Sequence, residues 1–117
     1  MSSSEIQLYF NPSCSKCIYA LDVLKANGID PVLIQYLENN PTFEELKSLL
    51  NKLALKPINI IRVNEPLFIE KFSNMKFSDE EWIRVIVQHP VLLQRPILVK
   101  GSEAVIGRSD DAISKII

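Results

Sequence analysis

The chain has 117 residues, 47% of them hydrophobic and 23% charged, which suffices for one domain with a real core and not for two ordinary ones. Its 13 basic and 14 acidic residues leave a formal net charge of -1, excluding the large positive field that nucleic acid or an anionic membrane would call for. Met1-Ser2-Ser3-Ser4-Glu5 shows no basic patch followed by an apolar run, and no apolar stretch approaches the roughly 20 residues of a membrane-spanning helix. A cytoplasmic monomer with no membrane and no nucleic-acid partner is expected.

Residues 5–10 alternate polar and apolar, with Ile6, Leu8 and Phe10 on one face, and Asn11-Pro12-Ser13 then breaks the run, the pattern of a strand entering a turn. From Ser15 the period becomes helical: Ile18, Leu21 and Leu24, helped by Ala20, form the predicted stripe, and Gly28 follows as the C-terminal cap. Residues 31–37, with Val32, Leu33, Ile34 and Tyr36, read as a second strand, parallel to the first because a helix separates them. Thr42-Phe43-Glu44-Glu45 is a capping box opening a helix to about Leu53, with Phe43, Leu46, Leu49, Leu50 and Leu53 as its stripe.

Between Pro57 and Phe72 the short apolar groups, interrupted by Pro66, predict two short helical segments with Arg62 between them. Ser78-Asp79-Glu80-Glu81 is a second capping box, and Trp82, Val85, Ile86 and His89 keep helical spacing until Pro90 stops the helix, where His89 is expected in a terminal capping role. Residues 95–99 and 104–106 read as two strands joined across Lys100-Gly101-Ser102. Ser109, with Asp110 and Asp111 in the first turn, starts a last short helix ending at Ile117.

A βαβ half followed by a ββα half is the thioredoxin plan, an α/β fold with a central mixed sheet, here as a single domain over 1–117 with a helical insertion of about 42–92. In that plan the reactive cysteine lies where the first strand gives way to the first helix, the position of Cys14. The unpaired N–H groups and partial positive charge of a helix N-terminus favour a thiolate over a thiol, and the same end of the helix attracts oxyanions. Cys17, the only other cysteine, sits one helical turn on and within reach of Cys14. A bridge between them closes too short a loop to staple a fold, so the Cys-x-x-Cys spacing points to redox chemistry, with Cys17 as a resolving thiol or simply a small helix residue. A structural zinc site is not expected, since His89 is the one further ligand of the usual soft type.

The sequence resembles the glutaredoxin-dependent arsenate reductase family over nearly its whole length. The matching residues are Asn11-Pro12-Ser13-Cys14, Tyr36-Leu37-Glu38-Asn39, Arg62 within Ile60-Ile61-Arg62, His89-Pro90 followed by Gln94-Arg95-Pro96-Ile97, and Gly107-Arg108-Ser109. The resemblance implies that Cys14 is the nucleophile and that Arg62, Arg95 and Arg108 hold the oxyanion, with Asn11, Pro12 and Ser15 supporting the turn. A guanidinium meets the oxygens of a tetrahedral anion with paired, charge-assisted hydrogen bonds that an ammonium matches less well. Thioredoxin folds place a cis-proline close to the reactive cysteine, so the Arg95-Pro96 bond is expected to be cis. Arg84 has no motif around it and reads as surface.

The reaction so implied is arsenate reduction through a cysteine-arsenate adduct, with glutathione as co-substrate, glutaredoxin as the partner that resolves the mixed disulfide, and no bound cofactor or metal. This chain departs from the family in two places: Phe10 stands where a histidine often precedes the Asn-Pro pair, and Cys17 is commonly absent. Cys17 is shared with the Spx family of RNA-polymerase-binding regulators, whose Cys-x-x-Cys is a redox switch, and a regulator of that type is the competing reading. Against it stand Arg108 and the lack of a glycine in the middle helical block, since Gly28, Gly101 and Gly107 lie elsewhere. A third reading is a glutathione-dependent thiol reductase with another substrate, relatives of which usually lose the arginine at the position of Arg108.

Overall fold

The computed structural model describes residues 5–117, so the reading of Met1–Ser4 lies outside the described residues. By its internal contacts the chain forms two units, residues 5–39 with Arg95–Ile117, and Asn40–Gln94. The expected helical insertion of about 42–92 falls within the second.

The first unit holds a four-stranded sheet in the order β2-β1-β3-β4, built from β1 (Ile6–Tyr9), β2 (Val32–Ile34), β3 (Ile97–Lys100) and β4 (Glu103–Ile106). β1 runs parallel to β2 and antiparallel to β3, and β3 is antiparallel to β4, so the mixed sheet of the thioredoxin-like plan is present. Helix α1 (Ser15–Ala26) makes the β1–β2 crossover and α5 (Asp110–Ile116) closes the chain. Ile6, Leu8, Cys17, Ala20, Leu24, Leu98 and Ile113 lie in one buried cluster, where the sheet meets the two helices.

Three details differ from the sequence reading. The buried face of α1 is Cys17, Ala20 and Leu24, while Ile18 is 43% exposed. The helix turns Cys17, Ala20 and Leu24 inward, and the bulkier Ile18 beside Cys17 is turned outward. β2 spans three residues rather than the seven expected, with Val32 and Leu33 exposed at the sheet edge; short edge strands offer little template for stray pairing. The β3–β4 turn consists of Gly101 and Ser102 alone, Lys100 pairing with Glu103, and Gly101 at φ 60° supplies the left-handed position that so tight a turn needs.

Gly107, just past β4, is buried for a packing reason. A Cβ there would fall inside contact distance of Leu98 Cδ1 and reach Ile113 Cγ1 at 3.4 Å. Leu98 is itself fully buried and has little room to yield. Gly107→Ala is expected to destabilise the protein by about 1–3 kcal/mol, the usual cost of overpacking, read as a lowered midpoint in thermal unfolding. An unchanged midpoint would mean that Leu98 repacks freely.

The second unit is helical. α2 (Phe43–Leu53) and α4 (Asp79–Gln88) both begin with the expected capping boxes, Thr42 with Glu45 and Ser78 with Glu81, and His89 is the C-cap of α4. Between them a 3-10 turn (Pro57–Ile60) and α3 (Pro66–Lys71) flank Arg62. Phe68, Phe72, Phe77 and Trp82 pack as an aromatic cluster, with the His89 ring 5.6 Å from that of Phe72. Arg84 is exposed as read, and its guanidinium lies 5.2 Å over the Phe43 ring. Among the described residues no helix is long and apolar enough to cross a membrane.

Candidate active site

The turn that delivers Cys14 is built from Asn11 and Pro12. The Cys14 N–H donates to the Asn11 carbonyl at 3.0 Å, closing a four-residue turn with Pro12 at the position where its fixed φ is favoured. The Asn11 Oδ1 accepts from the Ser13 N–H at 2.9 Å, an Asx turn that holds the corner from inside. Cys14 then occupies the N-cap of α1 in extended conformation. Ser15 is exposed at the first helical position.

Cys14 is 8% exposed and Cys17 fully buried; neither is in a disulfide. Burial alone would raise the Cys14 pKa. The Cys17 backbone N–H directed at its sulfur, a hydrogen bond from the Arg95 side chain, a hydrogen bond from the Cys17 thiol and the Arg95 charge together outweigh burial and bring it below the ordinary thiol value. Cys17 moves the opposite way. Burial first, then its hydrogen bond to Cys14 and the charge there, push it up to about 12, against the Asn11 backbone N–H and Arg95, which pull it down. One thiol is thus disposed to ionise and its neighbour to stay protonated.

Arg95 precedes Pro96 at the start of β3, and the Arg95-Pro96 bond is cis, as expected. The Arg95 Nε is buried and has no hydrogen-bond partner. Arg108 is exposed, and its Nη1 donates to the Arg95 carbonyl at 2.9 Å. Cys14, Cys17, Arg95 and Arg108 are therefore connected within the first unit. Arg62 belongs to the second unit. Its backbone is fixed there by Arg62 N–H to Leu92 C=O at 2.7 Å and Gln94 N–H to Ile60 C=O at 2.8 Å, and its guanidinium pairs with Glu65 at 2.9 Å and reaches the Val91 carbonyl at 3.4 Å.

Sequence reasoning did not find the main-chain groups around Cys17, the Tyr9 carbonyl and the Asn11 N–H, because a carbonyl or amide leaves no mark on residue identity. Nor did it find that Phe10, where a histidine is common, is buried in one cluster with both cysteines. Among the described residues no group of three or more His, Cys, Asp or Glu side chains is placed to hold a metal ion.

The family model described as ArsC family matches residues 9–116. A protein named arsenate reductase from Neisseria meningitidis is 35% identical over 115 residues, covering 97% of this chain and 98% of its own length. An uncharacterized protein from the glnII region of Streptomyces viridochromogenes is 34% identical over 113 residues, covering 92% and 95%. The solved structure of an arsenate reductase from Vibrio cholerae superposes with a TM-score of 0.91 at 34% identity, covering 97% of this chain and 98% of that one. With a match running from the end of β1 into α5 and relatives about a third identical over nearly the whole chain, the chain belongs to the ArsC family.

Proposed function

We propose that the protein is an arsenate reductase of the cytoplasm, acting as a monomer, with glutathione as co-substrate and glutaredoxin as protein partner. The observation that carries this reading is the pairing of a cysteine held below the ordinary thiol pKa with an arginine whose buried Nε has no partner. A buried donor left unsatisfied is costly, and an oxyanion bound against the Cys14 sulfur satisfies it. Arg108, tied to the Arg95 carbonyl through one nitrogen, keeps its other donors for the same anion.

In this mechanism the Cys14 thiolate attacks arsenic, an arsenic–oxygen bond breaks, and the oxygen leaves as water after protonation. The arginines balance the charge that gathers on the remaining oxygens. Glutathione thiolate then attacks the Cys14 sulfur, the electron pair of the sulfur–arsenic bond passes to arsenic, and arsenite departs. The two electrons that reduce arsenate come from the two sulfurs, which are left as a mixed disulfide. Glutaredoxin takes the glutathione moiety and returns Cys14 as thiolate. No metal and no bound cofactor takes part.

The test is arsenate-dependent NADPH oxidation coupled through glutathione reductase, glutathione and glutaredoxin. Turnover that saturates with arsenate and requires glutaredoxin is expected. A wild-type protein that oxidises no NADPH with arsenate, yet reduces a glutathione mixed disulfide, would replace this reading with that of a general thiol reductase.

A further inference from the structure

Arg108 stands in a connection of three residues, Gly107-Arg108-Ser109, between the end of β4 and the start of α5. Two bonds fix that connection to the start of β3: the Gly107 N–H donates to the Pro96 carbonyl and the Arg108 Nη1 to the Arg95 carbonyl, each at 2.9 Å. A third, from the Ala112 N–H to the Ser109 Oγ at 3.2 Å, caps α5. None of the three reaches the helix that Cys14 heads. A fourth does: the Tyr19 hydroxyl, on α1, donates to Oδ1 of Asp110, the first residue of α5, at 2.5 Å.

That distance belongs to the charge-assisted class of hydroxyl–carboxylate bonds. Both side chains are exposed, where water can replace either partner, so the bond adds little to the stability of the fold. Its consequence lies in where it puts a charge. Asp110 is two residues from Arg108, and a carboxylate so placed is the natural rival of a substrate oxyanion, since both offer paired oxygens to the same planar fork. Yet among the described residues the ion pair is that of Arg62 with Glu65, and Arg108 forms none. The hydrogen bond to Asp110, and then the charge there, hold the Tyr19 phenol above its ordinary pKa, so it remains a donor throughout the neutral range.

We propose that Tyr19 is a positioning residue of the oxyanion site, its hydroxyl holding the Asp110 carboxylate off Arg108 and so keeping that guanidinium open to the anion. The inference deepens the arsenate reading and rests on Arg108 as a ligand of the anion. Without the hydroxyl, Asp110 turns back on Arg108, and arsenate has to displace an internal carboxylate to bind.

The test reads anion binding apart from turnover, as the arsenate concentration that half-protects Cys14 from alkylation by iodoacetamide in the absence of glutathione. Tyr19→Phe is expected to raise that concentration about three- to sixfold, in keeping with the occupancy of a surface carboxylate–guanidinium pair. KM for arsenate in the coupled assay rises by the same factor, while kcat and the alkylation rate without arsenate stay near those of the wild type. Asp110→Asn, which removes the rival charge, is protected at or below the wild-type concentration, and Tyr19→Phe/Asp110→Asn returns to that value. Tyr19→Phe/Asp111→Asn, which removes the neighbouring charge instead, keeps the defect.

If the bond merely clamped α1 to α5, Tyr19→Phe/Asp110→Asn would stay as impaired as Tyr19→Phe, and that result would overturn the proposal. So would wild-type protection in Tyr19→Phe, or a rescue by Asp111→Asn equal to that by Asp110→Asn. A wild-type protein that arsenate protects but that turns none over removes the reductase reading and leaves the role of Tyr19 standing. A Cys14 that neither arsenate nor inorganic phosphate protects overturns the role of Tyr19 as well.

Discussion

Cys14→Ser is expected to lower arsenate-dependent turnover by about 10³-fold or more while leaving the fold at least as stable. A serine hydroxyl has no anionic population near neutral pH, and its oxygen cannot supply the electrons that sulfur yields when arsenite leaves. Stability should move the other way. Cys14 at the N-cap draws the N3 amide, that of Cys17, toward its sulfur, but sulfur is a weak acceptor, whereas serine is among the preferred N-cap residues. A gain of up to about 1 kcal/mol follows, seen as a raised unfolding midpoint. The head of α1 thus bears a residue chosen for chemistry over capping. Residual turnover within tenfold of wild type would remove Cys14 from the centre of the mechanism.

Arg95→Ala should show two separable losses. Arg95 lowers the Cys14 pKa both by hydrogen bonding and by its charge, so its removal moves that pKa up. At pH 7 the thiolate fraction falls, and the pH–rate profile of alkylation shifts to higher pH. Once the pH exceeds the raised value, both proteins are fully ionised and alkylate alike, and any deficit left in kcat/KM for arsenate reports the lost oxyanion contact alone. That residual deficit is expected to be 10²–10³-fold, the usual cost of one donor aimed at developing charge. Arg95→Lys restores the charge but not the planar fork, so it should recover the alkylation profile more fully than the arsenate kinetics. An Arg95→Ala protein with wild-type kinetics at high pH would confine Arg95 to tuning the thiol.

The elements with local signals were legible in the residues themselves. Thr42 with Glu45 and Ser78 with Glu81 form reciprocal bonds between 2.8 and 3.2 Å, because a capping box needs no partner beyond its own four residues. Cys14 at the strand-to-helix junction was legible for a similar reason, since Asn11-Pro12-Ser13 announces the turn, whereas Arg95 and its cis-proline came from the resemblance and the thioredoxin plan. The rotation of α1 was not. Ile18 and Cys17 are adjacent, and which of them turns inward depends on how closely the helix settles on Leu8 and Leu98, a tertiary matter invisible to helical periodicity. Arg62 came only from the resemblance, as its surroundings, Glu65 and the Val91 carbonyl, are ordinary. The opposite character of two cysteines one turn apart was hidden too, because it arises from depth and from main-chain groups of Tyr9 and Asn11.

The Gly101–Ser102 turn sits at the far end of the hairpin from the chemistry, yet it determines which side chains meet there. From it the pairing counts back through Lys100–Glu103 to Ile97–Ile106, and the next rung is the Gly107 N–H on the Pro96 carbonyl at 2.9 Å, which sets Arg108 against the main chain of Arg95. The spacing of the two guanidinium groups is therefore written as a loop length. A change at the tip that slipped the β3–β4 register would break the Gly107–Pro96 rung and with it the hold of Arg108 on Arg95, so the site depends on a surface turn remote from it.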